Sequence, residues 1–89
     1  MKYTYVLLSL KDKKFYTGWT NDLTKRFREH SSGKVFSTKK RLPLNLVYYE
    51  ACRDTEDAKA REKYLKSGMG KRFLRNRMKN FLSGRPLTG

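Results

Sequence analysis

Residues 3–20 read Tyr-Thr-Tyr-Val-Leu-Leu-Ser-Leu-Lys-Asp-Lys-Lys-Phe-Tyr-Thr-Gly-Trp-Thr, and this segment alone predicts the start of a β-sheet. Its two ends, residues 3–9 and 14–20, are rich in β-branched, aromatic and aliphatic side chains, a composition typical of strands. The polar residues 11–13 between them favour a turn, so we predict a β-hairpin. Gly18, near the end of the second strand, indicates a bulge or a close approach by another backbone or a ligand.

The rest of the chain alternates helix signals with one further strand. Capping residues, apolar periodicity and glycine stops set the limits of each element. The predicted elements are a helix from Asn21 or Asp22 to about His30, a strand over 44–51, a helix from Asp54 or Thr55 to about Ser67, and a helix from Gly70 to about Phe81. The order is ββαβαα, an α+β fold in which a small three-stranded antiparallel sheet packs against about three helices. We expect residues 1–83 to form one domain and 84–89 a flexible tail.

The charge balance indicates a polyanion as the partner. Among 89 residues, 22 are Lys or Arg and 8 are Asp or Glu, which gives a formal net charge of +14. Self-repulsion at this charge opposes compaction, and nucleic acid is the first candidate to offset it. A membrane surface is the alternative, but its usual signature is one amphipathic helix that carries the basic residues. Here they run along the whole chain, so we expect nucleic acid and no membrane partner.

Cys52 is the only cysteine, so an internal disulfide framework is excluded. With no apolar span and no signal peptide in the printed sequence, this composition predicts a cytoplasmic protein. We interpret Cys52 as a small packing residue.

A carboxylate interrupts the apolar face of the second predicted helix. Ala58, Glu62 and Leu65 lie on one face at positions i, i+4 and i+7. A buried carboxylate is costly unless it is paired, hydrogen-bonded or bound to a metal. Spacing alone favours an ion pair of Glu62 with Arg61 or Arg26, or a side chain that leans into water. The alternative is a metal ligand, because Mg²⁺ often takes only one or two protein carboxylates and otherwise keeps water.

Other polar side chains converge on the first predicted helix. His30, the only histidine, shares its apolar face, and Arg26 lies at the edge of that face. A lone histidine near a helix end is more often a surface group stabilised by the helix dipole than a catalyst. Tyr5 and Tyr16 lie on one sheet face if the hairpin loop holds an even number of residues, which brings two hydroxyl groups near this helix.

Residues 34–43 show little periodicity and predict a basic loop, whose charged members are Lys34, Lys39, Lys40 and Arg41. Such a loop can simply be solvated. The net charge and the abundance of aromatic residues favour instead a loop that contacts phosphate groups.

Taken in order, these residues resemble the GIY-YIG endonuclease family. Residues 3–5 (Tyr-Thr-Tyr) stand at the position of the GIY motif, and residues 16–18 (Tyr-Thr-Gly) stand at the YIG motif one strand later. Residues 25–30 look like the family helix with its essential Arg, and residues 60–66 look like the later helix with its metal-binding Glu. The resemblance covers about residues 3–80 and is strongest to small stand-alone bacterial members, which are related to the N-terminal nuclease domain of the excision-repair excinuclease.

The resemblance implies a metal-dependent endonuclease that hydrolyses DNA phosphodiester bonds, with RNA as an open alternative. The roles it implies are water activation for Tyr16, positioning for Tyr5, stabilisation of phosphoryl charge for Arg26, Mg²⁺ or Mn²⁺ binding for Glu62, and proton transfer or phosphate binding for His30. It is also compatible with a targeting protein partner and with a monomer or weak dimer.

The match has departures, and two other functions stay open. The first motif keeps only its tyrosine, and Trp19 stands where excision-repair relatives carry Lys. The alternatives are a nucleic-acid-binding module of the same fold that cuts poorly, and a basic assembly protein of a ribonucleoprotein. The joint presence of Tyr16, Arg26 and Glu62 favours the nuclease, because binding alone requires no inward carboxylate.

Overall fold

The computed structural model describes residues 1–84, so the predicted tail lies outside the described residues except for Gly84. Within them, the elements are β1 (Lys2–Ser9), β2 (Phe15–Thr20), α1 (Leu23–Ser31), β3 (Leu44–Cys52), α2 (Thr55–Lys66), α3 (Gly68–Arg77) and α4 (Lys79–Leu82). The predicted α+β class and the ββαβαα order are confirmed, with the last predicted helix divided in two. No helix in this part of the chain is long and apolar enough to cross a membrane.

The three strands form one antiparallel sheet in the order β2-β1-β3. In the β1–β2 hairpin, Tyr5 pairs with Gly18 and Leu7 pairs with Tyr16. Since directly paired residues project to the same side, Tyr5 and Tyr16 share one sheet face, as predicted for an even loop.

Helices cover both faces of this sheet. The core on the α1 side comprises Tyr5, Leu7 and Leu44, with Tyr16, Leu23, Phe27, Leu42 and Leu46 around them. The core on the α2 and α3 side comprises Val6, Leu65, Leu74 and Met78, with Phe15, Val47, Tyr48 and Phe73 around them. Each fully buried leucine contributes about 2 kcal/mol through removal of its apolar surface from water. The central strand β1 is apolar on both sides, which is why two layers of helix can pack on it.

Asp side chains fix where the first two long helices begin. Asp22 accepts a hydrogen bond from the backbone N–H of Lys25 at 3.1 Å, and Asp54 accepts one from Glu56 at 2.8 Å. Each cap satisfies an N–H group that the helix leaves free and is worth about 1 kcal/mol. These caps set the directions in which α1 and α2 leave the sheet.

The helix predicted to run from Gly70 to Phe81 begins earlier and breaks at Met78. The Ser67 side chain caps α3 by accepting from the Gly70 N–H at 3.1 Å. Only glycine fits at position 70, because a Cβ there would lie 2.0 Å from the carbonyl oxygen of Tyr64. Met78 has φ −112° and ψ 24°, outside the helical region, while its side chain is buried in the core. The last turn, α4, therefore leaves in a new direction.

Candidate active site

Tyr5 lies in the middle of β1 with its ring against the backbone of β2. The residue is 1% exposed, and a Cβ added at Gly18 would lie 2.5 Å from the Tyr5 hydroxyl oxygen. The close approach at Gly18 is therefore made by the Tyr5 side chain. The predicted alternatives, a bulge or an approach by another backbone, do not occur at this residue. The register shift of the sheet lies elsewhere, between Val6 and Leu7 where β1 pairs with β3.

His30 lies at the centre of a buried row of hydrogen-bonding side chains. Its Nε2 is 2.8 Å from the Tyr5 hydroxyl, and its Nδ1 is 2.7 Å from Oγ1 of Thr38. The imidazole is fully buried, so the expectation of a surface histidine is wrong. Burial, together with the nearby Arg26 charge, lowers the pKa of His30 from 6.5 to about 4. The ring is therefore neutral near pH 7, with one nitrogen donating and the other accepting.

Tyr16 adjoins this row from the edge strand. Its ring centroid is 5.2 Å from that of His30 in an edge-on arrangement. Its hydroxyl accepts a hydrogen bond from Oγ of Ser37 at 3.2 Å and lies in an exposed environment. Tyr16 thus presents a hydroxyl group to solvent, whereas Tyr5 turns its own toward the interior.

Ser37 and Thr38 are site residues that the sequence analysis missed. Both lie in the basic loop, and their side chains reach Tyr16 and His30 respectively. Small hydroxyl residues between lysines carry no distinctive signal in a single sequence, because such residues are common in solvated loops. Their contacts tie the loop to the two tyrosines.

Arg26 of α1 and Glu62 of α2 act on Tyr5 through their charges. Burial raises the pKa of Tyr5, the neighbouring Arg26 guanidinium lowers it, and the Glu62 carboxylate raises it. The Arg26 side chain is 37% exposed and forms an ion pair with Glu29 at 3.1 Å. The Arg and Glu predicted for the site are thus within electrostatic reach of Tyr5, although α1 and α2 lie on opposite faces of the sheet.

Glu62 has neither of the ion-pair partners predicted for it. Arg61 instead forms a two-point contact with Glu50 of β3, with N–O distances of 2.9 and 2.6 Å. Within residues 1–84, the ion-pair partner of Glu62 is Lys66, at 3.7 Å, and the Glu62 side chain is 25% exposed. An i, i+4 pair with a solvent-exposed lysine is weak, so the Glu62 carboxylate stays available to another cation.

The donor set suits a hydrated hard cation better than a closed metal cage. Within residues 1–84 there is no group of three or more His, Cys, Asp or Glu side chains that could enclose an ion. Mg²⁺ commonly binds through one or two carboxylates while keeping several waters and a substrate phosphate. A single available carboxylate such as Glu62 fits that mode of binding.

The basic loop contains two kinds of charged residue. Lys34, Lys39 and Lys40 are exposed. Arg41 instead bonds both carboxylate oxygens of Asp12, at 2.7 and 3.3 Å, and also reaches backbone carbonyls of β2 and its preceding turn. These hydrogen bonds lower the pKa of Asp12 to about 2. Arg41 therefore fastens the loop to the hairpin, while the lysines project into solvent.

A cavity of about 760 Å³ lies where the hairpin turn meets α3 and α4. Its lining includes Phe15, Arg41, Lys71 and Arg75, and it contains none of the five predicted catalytic residues. Tyr5 and Tyr16 lie instead on the sheet face that packs against α1.

The three-stranded sheet, with Tyr5 and Tyr16 on one face and Arg26 and Glu62 on the flanking helices, has the arrangement that the family resemblance predicts. The sequence profile of the GIY-YIG catalytic domain matches residues 1–78, and the chain belongs to the GIY-YIG family, a nuclease family.

Within that family the chain is similar to UPF0213 proteins. A relative in Clostridium perfringens is 43% identical over 67 residues, which covers 74% of this chain and 71% of the relative. A relative in Streptococcus pyogenes is 45% identical over 65 residues, which covers 72% and 70%. The solution NMR structure of a UPF0213 protein from Bacillus halodurans matches with a TM-score of 0.51 and 37% identity, and covers 83% of this chain and 82% of that one. The fold prediction is therefore supported by a solved relative.

Proposed function

We propose that this protein is a divalent-metal-dependent endonuclease that hydrolyses DNA phosphodiester bonds at the surface around Tyr16, on the sheet face that Tyr16 shares with Tyr5. The observation that carries the proposal is the buried Tyr5–His30 hydrogen bond beside Tyr16, whose hydroxyl faces solvent. Because both imidazole nitrogens are hydrogen-bonded, this buried row holds Tyr5 and the loop next to Tyr16 in one fixed arrangement.

The environments of the two tyrosines support different proposed roles. Burial raises the pKa of Tyr5, so its hydroxyl keeps its proton at neutral pH and serves as a hydrogen-bonding group. Tyr16 is half-buried and its oxygen is reachable from solvent, so we propose that Tyr16 activates the attacking water. In this step Tyr16 acts as the phenolate: it takes the proton of the water as the oxygen of that water bonds to phosphorus and the bond to the leaving oxygen breaks.

His30 is proposed as a positioning residue. It is neutral near pH 7 and fully buried, so direct contact with a phosphate group is not supported. Its hydrogen bonds to Tyr5 and Thr38 instead hold β1 and the basic loop in a fixed relation.

Charge at the site suits the anionic transition state of phosphate hydrolysis. Arg26 is partly exposed, and its planar donors match phosphoryl oxygens. Glu62 would hold Mg²⁺ or Mn²⁺, and such an ion when bound supplies Lewis-acid polarisation of the scissile phosphate. Lys34, Lys39 and Lys40 would contact the backbone of the nucleic acid and make binding sensitive to salt.

The test is cleavage of labelled duplex, single-stranded, flap and four-way DNA with Mg²⁺ or Mn²⁺. Wild type is compared with Glu62→Ala and with Glu56→Ala, a control on the same helix whose side chain is 79% exposed. We expect metal-dependent cleavage by wild type and by the control, and its loss in Glu62→Ala. Binding without cleavage, on every substrate and with both metals, would favour the binding-module alternative.

A further inference from the structure

Phe36 is an exposed aromatic ring on a loop that is anchored by two buried residues. It is 83% exposed, the highest value among the large hydrophobic residues of the described part of the chain. Val35 before it is 8% exposed, and Thr38 two residues later is fully buried. The ring therefore projects from a segment that is fixed to the protein by the side chains of Val35 and Thr38.

The loop around Phe36 is held by hydrogen bonds on both sides of the ring. The backbone N–H groups of Thr38 and Lys39 donate to the carbonyl of Val35 at 3.1 and 2.9 Å, which closes a turn around Phe36. A segment with these backbone hydrogen bonds has a defined conformation, unlike a disordered surface segment.

The same loop is joined to the proposed catalytic surface. Ser37, the next residue after Phe36, donates a hydrogen bond to the Tyr16 hydroxyl at 3.2 Å. Thr38 is hydrogen-bonded to His30 at 2.7 Å. The segment that carries Phe36 is thus hydrogen-bonded, through the next residue, to the hydroxyl of Tyr16.

The loop that carries the ring is positively charged. The Lys39 ammonium lies 4.8 Å from the centroid of the Phe36 ring, and Lys34 and Lys40 are exposed on the same loop. Residues 30–49 contain no Asp or Glu. An exposed aromatic face among cations is the arrangement that binds a nucleobase by stacking while the lysines contact the neighbouring phosphates.

We propose that Phe36 stacks on an unpaired base of DNA next to the phosphate that is cut, so that the preferred substrate contains unpaired nucleotides. The position of the cut rests on the proposed nuclease function. In an intact duplex both faces of a base are covered, and a ring gains access only after unstacking that opposes binding. A base that is already unpaired presents a free face, and stacking it on an aromatic side chain raises affinity by about five- to a hundredfold.

The stacking is tested by binding in EDTA, where no metal-dependent cleavage occurs. The probes are a single-stranded oligonucleotide with a central 2-aminopurine and a matched duplex of the same sequence. The proteins are wild type, Phe36→Ala, Phe36→Trp and the control Phe81→Ala, which removes an exposed ring on α4. We expect Phe36→Ala to weaken single-strand binding by about five- to a hundredfold and to abolish 2-aminopurine quenching, while duplex binding changes by less than about twofold. Phe36→Trp is expected to restore both signals, and Phe81→Ala to change neither.

Unchanged single-strand binding in Phe36→Ala, or an equal loss on single strand and duplex, would overturn the proposal. Cleavage assays distinguish a failure of the stacking proposal from a failure of the proposed nuclease function. If wild type cuts flap DNA faster than duplex, Phe36→Ala should lose that preference. If wild type binds through Phe36 but cuts nothing, the stacking stands and the nuclease function fails.

Discussion

The hydroxyl of Tyr5 lies 2.8 Å from Nε2 of His30, and both residues are almost completely buried. The contact joins the central strand to the end of α1 across 25 positions of sequence. Because the imidazole also bonds Thr38, a single side chain connects the sheet, a helix and the basic loop. Protonation of this imidazole would therefore disturb all three.

His30 should make the protein less stable at acid pH. Its folded pKa of about 4 lies below the ordinary value of 6.5, so the neutral form is favoured by folding. Above pH 6.5 both states are neutral and the effect is absent. As the pH falls from 6.5 toward 4, only the unfolded state gains a proton, and we expect a loss on the order of 2 kcal/mol in the free energy of unfolding.

Two measurements check this loss. Urea unfolding of wild type and His30→Gln between pH 7 and 4 isolates the histidine contribution as a difference between the curves. Since His30 is the only histidine, an NMR titration of the wild-type imidazole reports its pKa directly. A titration midpoint near 6.5 would contradict the prediction.

Gly18→Ala should displace the Tyr5 ring. The new Cβ would lie 2.5 Å from the Tyr5 hydroxyl oxygen, so the phenol must move away from His30. We expect a cost of about 1–3 kcal/mol in stability and at least a tenfold loss of cleavage. The matched control is Gly68→Ala, whose Cβ would meet nothing within 4 Å. In Tyr5→Ala the ring that would clash is absent, so adding Gly18→Ala to this variant should cost little stability. If the two substitutions instead had additive effects in this double-mutant cycle, a steric cause would be contradicted.

Tyr16→Phe should lower the cleavage rate by about 10²–10⁴, because the oxygen proposed to accept the proton of water is lost. Stability should change little, since the partner of that oxygen in the described part of the chain is the exposed Ser37, at 3.2 Å. Tyr49→Phe, which alters a 54% exposed ring on β3, serves as the control. Single-turnover cleavage at saturating enzyme measures the effect, and wild-type rates in Tyr16→Phe would remove Tyr16 from the mechanism.

Arg41 and Lys40 should behave differently although they are neighbours. Lys40→Ala is expected to reduce the slope of the logarithm of the DNA-binding constant against the logarithm of salt concentration by about one, because one phosphate contact is lost. The stability of the protein should not change. Arg41→Ala removes the contacts to Asp12 and to two backbone carbonyls, and should lower the melting temperature. Binding isotherms at several salt concentrations and thermal melts distinguish the two. Equal effects of both variants on both measurements would contradict this division.

Arg61 should contribute to stability and not to chemistry, in contrast to its neighbour Glu62. Its guanidinium makes a two-point contact with Glu50, which also accepts a hydrogen bond from Tyr48 at 3.0 Å. Arg61→Ala should cost about 1–2 kcal/mol, since the pair is partly exposed. A double-mutant cycle with Glu50→Gln measures the coupling, and cleavage by the folded fraction should stay at the wild-type level.

The order of elements follows from sequence alone, and the sequence limits the caps of α1 and α2 to two adjacent residues each. These features depend on close neighbours in the chain, through strand alternation, helical periodicity and capping side chains. The shared face of Tyr5 and Tyr16 followed only for an even hairpin loop, and the Ser67 cap of α3 was not predicted. The family motifs add Arg26 and Glu62 as residues to examine, because their spacing along the chain is itself part of the pattern. Local chemistry was sufficient for the architecture.

Only the tertiary structure decided what those residues touch. His30 is buried between Tyr5 and Thr38, and Arg61 turns to Glu50 rather than to Glu62, through contacts that span 8 to 25 positions. The helix likewise breaks at Met78, whose side chain packs into the core formed with Val6, Leu65 and Leu74. A periodic pattern states which face a residue occupies, but the energy of a buried hydrogen bond or ion pair depends on the group opposite. That group is supplied by the folding of distant segments against one sheet.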